Sequence, residues 1–418
     1  MALLDCADSY WRFAGQCTQC GHCTGACESL TAAGMSLGDI AKALLDAQRA
    51  SSTREELALN IASNGQLVQA VRGCFFCTSC KNTCFAHNDV CDLIYHARVD
   101  FQNLGLIERA AWSSVLVDQE WDIFTAYRAI YGIGYLDLSR HLAYEGHEAE
   151  TGFGTAFFPG CSLAAYGPEL TREIFGEMER LAEGRVTMID SCCGSSLKSA
   201  GFFDRAEALC DRNADELAAA GVRELVCVCP GCANDMRAAL EKRGLDVEVR
   251  LLAGWLAERG FKPKHPLPEG TICLSKSCQD RDGSYVDEVR AVLGLAGGAD
   301  AGEGAADGAD AAGAAREVVI YRGCCGAGGA VSAFDPTRQA QQVDGKLGFA
   351  PYGSTVVSMC PTCTYTYAYR LMEAPRAVEN RHYCELLFDS RFDWDATFAQ
   401  LGGMWSGEYG PWLAQVFA

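Results

Sequence analysis

Two cysteine runs near the start of the chain constrain its fold more than any other feature. Cys17, Cys20, Cys23 and Cys27 form a C-x2-C-x2-C-x3-C run, and Cys74, Cys77, Cys80 and Cys84 repeat the same spacing. Three thiols in so tight a loop face three irons of one cubane, while the fourth, carried onto a helix, reaches the neighbouring cluster. The spacing therefore predicts two [4Fe-4S] cubanes. One is held by Cys17, Cys20, Cys23 and Cys84, the other by Cys74, Cys77, Cys80 and Cys27. The same eight thiolates can make two four-cysteine zinc sites, but zinc usually takes paired C-x2-C knuckles rather than a three-cysteine loop. The residue after the fourth cysteine, proline in the common pattern, is Glu28 in one run and Phe85 in the other.

The rest of the chain reads as a set of ordinary folded domains. Its 418 residues exceed what one core can serve, and 49% hydrophobic with 21% charged residues is a globular balance. No run approaches the roughly 18 apolar residues of a membrane helix, and residues 1–15 lack the basic end and long apolar stretch of a secretory signal. The expected location is cytoplasmic, with no membrane span of its own. In a reducing compartment, clustered members of the 24 cysteines are metal ligands more often than disulfides. A net charge of -19 argues against a nucleic-acid partner. Between the two runs, residues 37–50 and 54–62 carry apolar side chains at three- and four-residue spacing, which predicts helices. A mostly helical segment is expected over 89–142.

From residue 157 onward, β-rich runs alternate with amphipathic ones, which argues for α/β layers. Predicted strands at 156–158, 185–189 and 224–228 lead into Cys161, into Cys192 and Cys193, and into Cys229 and Cys232, with helices at 169–181 and 203–220. The order returns after Gly270. Strands at 271–274, 317–321 and 354–359 precede Cys278, then Cys324 and Cys325, then Cys360 and Cys363. The first copy is spaced C-x30-CC-x35-C-x2-C and the second C-x45-CC-x34-C-x2-C. The longer gap holds a Gly, Ala and Asp tract, 297–315, which reads as a flexible surface insertion. Cysteines just past strand ends occupy the place where open α/β sheets bind ligands. Adjacent cysteines need a turn, which Gly194, Gly323 and Gly326 supply. The C-P-x-C segments open helices, whose free N–H groups and positive end favour thiolates. Zinc sites or buried thiols remain an alternative for the CC pairs, since such a pair alone is common.

These copies resemble the CCG (cysteine-rich) domains of heterodisulfide reductase subunits of the HdrB and HdrD type. They are similar, too, to iron-sulfur subunits of glycolate oxidase, anaerobic glycerol-3-phosphate dehydrogenase and lactate-utilisation proteins. The resemblance rests on Gly160-Cys161, Cys192-Cys193-Gly194, Cys229-Pro230-Gly231-Cys232, Cys324-Cys325-Gly326-Ala327-Gly328-Gly329 and Cys360-Pro361-Thr362-Cys363. The N-terminal part resembles the helical ferredoxin domain of succinate dehydrogenase iron-sulfur subunits and of HdrC-like subunits. The implied fold is α+β and multidomain. A mainly helical two-cluster ferredoxin domain (1–145) precedes two repeated α/β CCG domains (155–266 and 268–390), with a tail at 391–418.

The resemblance also implies that each copy holds a noncubane [4Fe-4S] cluster. Cys161, Cys192, Cys193, Cys229 and Cys232 would bind the first, and Cys278, Cys324, Cys325, Cys360 and Cys363 the second. The family favours an aspartate-proline-cysteine-histidine segment where this chain has Lys276-Ser277-Cys278-Gln279, which leaves Cys273 as an alternative to Cys278. The implied activity is that of an oxidoreductase, with electrons passing from the cubanes to the noncubane clusters and a disulfide or thiol substrate reacting at Cys192, Cys193, Cys324 and Cys325. The alternative is an electron-transfer subunit relaying electrons from a flavin-dependent hydroxy-acid or glycerol-phosphate dehydrogenase toward quinone. No G-x-G-x-x-G follows a strand and no P-loop is present, so no flavin or nucleotide belongs to this chain. A flavoprotein or a membrane cytochrome b-type quinone-reactive subunit is the expected partner, the latter placing the chain on the inner face of the membrane.

Lys198 and Arg322, beside the CC pairs, are candidates for binding an anionic substrate or donating protons. His22 and His87 adjoin the cubane runs, and Trp405, Tyr409 and Trp412 form either a docking or a packing patch. Cys6, Cys91, Cys210, Cys227, Cys273 and Cys384 lack partners at ligand spacing and read as buried thiols, with Cys227, two residues from Cys229, as the candidate exception. Deleting 297–315 is expected to leave iron content and the thermal midpoint nearly unchanged, because loop length costs little closure entropy. Selective loss of the second noncubane cluster would contradict this.

Overall fold

The computed structural model describes residues 2–88, 90–107, 122–280, 282–295 and 317–417. The tract 297–315 lies outside them. The N-terminal part is helical. Ser36 and Asp39 close a reciprocal capping box that starts helix Leu37–Arg49, and Thr53 and Asn64 cap helices Arg54–Ser63 and Gly65–Arg72 through their side chains. These helices meet Ala7–Gln16 and Val90–Asn103 around Ile40, Leu44, Leu57, Ile61 and Leu67. The same core takes in Leu197, Ala200, Ala206 and Leu209 from the following α/β part, so the two parts share apolar surface.

Two four-stranded parallel sheets follow. The first contains β1 (Thr155–Phe158), β2 (Val186–Met188), β3 (Glu224–Cys227) and β4 (Glu248–Leu251), in the order β2-β1-β3-β4. The second contains β5 (Ile272–Ser275), β6 (Val318–Tyr321), β7 (Thr355–Ser358) and β8 (Glu379–His382), in the order β6-β5-β7-β8. The repeat read from the cysteines is thus a repeat of topology. Strand order reverses direction between β1 and β3 and between β5 and β7, and ligands of such sheets bind outside the carboxyl ends at that switch. β4 and β8 were not expected from the sequence, being short, polar edge strands. Residues 394–417, expected as a tail, form helices Trp394–Ser406 and Gly410–Phe417. Ile123, Ala126 and Tyr127 of helix Ile123–Tyr131 are buried in the α/β core. Among the described residues no helix is long and apolar enough to cross a membrane.

Arg98, fully buried on helix Val90–Asn103, joins three regions. Its guanidinium donates to the carbonyls of Val71 (3.1 Å), Arg72 (3.1 Å) and Cys74 (3.0 Å), to Ser199 (2.7 Å) of the first α/β unit and to Gly329 (2.9 Å) of the second. It also stacks over Phe76, 4.7 Å from the ring centroid. Gly329 has φ +69°, and a Cβ there would overlap the Cys74 carbonyl oxygen, so this close approach of backbones requires glycine. Arg98→Met should lower stability by roughly 3 kcal/mol or more, because it strands buried carbonyls. A drop in the denaturant midpoint would register this loss, and an unchanged midpoint would contradict the assigned role.

Candidate functional site

The two N-terminal runs fold alike because the same positions turn left-handed. Gln19 (φ 54°) and Gly21 (φ 76°) lie two and four residues after Cys17, and Phe76 (φ 53°) and Thr78 (φ 64°) hold those places after Cys74. Left-handed non-glycine residues are uncommon and cluster at functional sites. Each loop curls its cysteines inward, and the Leu37 and Phe76 amides point at Cys23 Sγ (3.5 Å) and Cys74 Sγ (3.4 Å). Cys17, Cys20, Cys23 and Cys84 line one cavity, while Cys27, Cys74, Cys77 and Cys80 line another. The fourth cysteine of each run therefore stands with the first three of the other.

The α/β units present their cysteines at the switch points. Cys161 opens the helix after β1, and Cys229 and Cys360 are the N-caps of helices Pro230–Lys242 and Pro361–Glu373, each with proline in the first turn. Gly194 (φ 77°) and Gly326 (φ 78°) turn the chain after the CC pairs. Their amides donate to Cys192 Sγ (3.4 Å) and Cys324 Sγ (3.3 Å). Asn213 and Gln342 brace the same turns through the carbonyls of Cys192 (2.8 Å) and Cys324 (3.3 Å). The two units then meet face to face, with Cys229 and Cys360 Sγ 3.6 Å apart. A single cavity of about 1310 Å³ is lined by Cys161, Cys192, Cys193, Cys229 and Cys232 from one unit and Cys278, Cys325, Cys360 and Cys363 from the other. Cys324 turns instead to Cys77, with which it exchanges a side-chain hydrogen bond. The second N-terminal set and the second α/β set are thereby in contact.

The other predicted residues fall in varied places. Cys278 lines the cavity, whereas Cys273 is buried in β5 with its Sγ 3.8 Å from the Tyr321 hydroxyl. Cys227 and Cys384 lie in the core, and Cys210 bonds the Cys193 carbonyl (3.3 Å). Cys91 lines the cavity of the second N-terminal set, and Cys6 lies beside Asp5 and Asp100. Lys198 sits over the Tyr95 ring at 5.1 Å, and His22 packs edge-on to Phe85 at 4.8 Å. His87 is left-handed (φ 51°) three residues after Cys84. Trp405 lines the large cavity, in the company of neither Lys198 nor Arg322.

Sequence reasoning missed Lys346. It is 6% exposed, and its ammonium donates to the carbonyls of Tyr321 (3.0 Å) and Gly323 (3.1 Å) beside the thiols of Cys363, Cys325, Cys324 and Cys278. Its position in a polar helix face gave no signal of burial. A carboxyl stands by the first set, Asp122 at the start of helix Ile123–Tyr131. Burial, and then the charge of Cys192, raise Asp122 to about 6.

Such crowding perturbs the thiols strongly. Contact with Cys161 and Cys193 holds Cys192 well below the usual thiol value, and contact with Cys229 and Cys363 does the same for Cys360. Cys161 and Cys193 rise in turn, each through its contact with Cys192, and Cys363 through its contacts with Cys325 and Cys360. Cys324 donates to Cys77 and brings it down to about 6. A buried group of thiolates cannot stay charged without compensating cations. The thiols line shared cavities in close-set groups, a donor set that fits a multi-iron group with sulfur ligation.

Paired four-stranded parallel sheets, each delivering cysteines to the carboxyl ends of its strands, define a duplicated cysteine-rich α/β module. The family model described as the cysteine-rich domain, CCG, matches residues 155–237 and 313–367. Both segments match that domain, and with 24 cysteines in the chain the match points to an iron-sulfur redox protein that transfers electrons. Comparison with curated proteins finds no match. The geometry makes Cys278 and Cys273 separable by mutation. Cys278→Ser should cost about four irons per chain, by chemical assay of anaerobically purified protein, and Cys273→Ser none. The reverse pattern would overturn the placement.

Proposed function

We propose that the chain is an oxidoreductase subunit that takes electrons through two N-terminal cubanes and delivers them to a disulfide bound between the two α/β cysteine sets. The observation that carries this reading is the single cavity walled by cysteines of both units. Bound iron-sulfur clusters would supply one-electron carriers at Cys17, Cys20, Cys23 and Cys84, at Cys74, Cys77, Cys80 and Cys27, and, as noncubane clusters, at the two α/β sets. The chain's own groups set the conditions. Helix N-termini behind Cys229 and Cys360 stabilise thiolates, Lys346 offsets negative charge at the second set, and the rings of Tyr166, Tyr365 and Phe398 line the approach to the reacting sulfurs. Cleavage of RSSR consumes two electrons and two protons and yields two RSH.

Cys20 is exposed, and Phe85 beside the first N-terminal set is 74% exposed. A flavoprotein or a cytochrome b-type quinone-reactive subunit would dock at this edge as donor. A pure relay serving a hydroxy-acid or glycerol-phosphate dehydrogenase needs no such cavity, so the geometry favours the disulfide reading. Cys193→Ser or Cys325→Ser should abolish disulfide reduction by reduced viologen while the cubane signals persist, because ligand changes act mainly on their own cluster. If wild-type protein turns over no disulfide yet accepts electrons rapidly from a co-purifying flavoprotein, the relay reading replaces this one.

A further inference from the structure

The wall of the shared cavity differs in character from its cysteine floor. Helix Pro361–Glu373 starts at the floor with Cys360 and Cys363, and Tyr365, Thr366, Tyr369 and Met372 follow along the cavity, the last two at its exposed mouth. At 1.5 Å per residue the helix rises roughly 14 Å from Cys360 to Tyr369. Helix Trp394–Ser406 faces it with Phe398 and Trp405. The rings form one continuous panel. Tyr166 stacks on Tyr365 (5.3 Å, 21°), Tyr365 on Tyr369 (6.3 Å, 24°), and Phe398 meets Tyr365 and Tyr369 edge-on at 5.8 and 5.6 Å.

Charge is distributed just as unevenly. Among the described residues, no lysine, arginine or histidine lines the cavity, and the charged side chains that do are Glu373 and Asp395. The nearby Arg370 is bound by Asp344 (2.6 and 2.9 Å) and by Glu373 (3.4 Å). The positive helix ends at Cys229 and Cys360 are occupied by the thiols those helices carry. An anionic substrate entering this space would meet thiols, carboxylates and neutral groups such as Ser277, Gln279, Gln339 and Thr362, with no lysine, arginine or histidine among the described lining residues to balance its charge.

We propose that this cavity takes an uncharged disulfide with an apolar or aromatic arm laid along the Tyr365–Tyr369–Phe398 panel, and discriminates against disulfides bearing carboxylate, sulfonate or phosphate groups. The inference rests on the disulfide reading for the reaction, but not for the binding preference. The test is equilibrium dialysis of the anaerobic holoprotein with two nonreducible probes, neutral dibenzyl sulfide and dianionic thiodiglycolate. The neutral probe should bind at least ~10-fold tighter, a difference of the size that one unpaired polar group produces.

Phe398→Ala should weaken the neutral probe several-fold. Ala399→Lys, at an exposed position on the cavity wall, should leave that probe bound and strengthen the dianion about tenfold. Tight binding of the dianion by wild type, or indifference of the neutral probe to Phe398→Ala and of the dianion to Ala399→Lys, would overturn the proposal. Failure of the reaction reads differently. If no disulfide oxidises reduced viologen but the probe preference holds, the disulfide reading falls and the assigned selectivity stands. If disulfides turn over with the dianionic one preferred, the reaction stands and the selectivity falls.

Discussion

The buried guanidinium of Arg98 sets how the helical and α/β parts meet. A cation removed from water must have its donors satisfied, and here the acceptors are main-chain carbonyls at Val71, Arg72, Cys74, Ser199 and Gly329. Burial lowers its pKa to about 10 while the neighbouring Cys74 opposes the shift, so it stays charged at neutral pH. Backbone carbonyls cannot be displaced by rotamer changes, which makes this joint stiff. Its consequence is local and chemical. With Gly329 against Cys74, the loop from Cys74 to Cys80 lies on the second α/β unit, and Cys77 reaches Cys324.

The duplicated sheet accounts for the other contact between sites. In each unit the switch point lies between the first and third strands, so the cysteines after those strands face outward at one place. Two such faces packed together bring Cys229 and Cys360 within 3.6 Å and close one cavity over both sets. The units are not identical in their electrostatics. Buried Lys346 stands by the second set and Asp122 by the first. Opposite neighbouring charges stabilise different charge states of otherwise similar cysteine clusters.

Much of this was legible from the amino-acid pattern. Strands ending in cysteines are short apolar runs that bury completely, as β1, β5 and β7 do, and their periodicity and punctuation survive in one dimension. β4 (Glu-Val-Arg-Leu) and β8 (Glu-Asn-Arg-His) are edge strands whose polar residues carry no such signal. Helix Trp394–Ser406 was hidden because its glycines and aromatic residues give weak helical periodicity, so its place in the cavity wall was unforeseen. Arg98 and Lys346 were unreadable for a different reason. Both bond to backbone oxygens, which every residue has, and nothing at positions 71, 199 or 323 announces an acceptor.

The proposed function requires that four cysteine sets each hold a four-iron cluster, with two of them opening on one cavity. Iron and acid-labile sulfide in anaerobically purified protein measure it most directly. The account predicts about 16 irons per chain, matched by sulfide, with two kinds of cluster signal. Zinc in place of iron, or about 8 irons with only cubane signals, would contradict it.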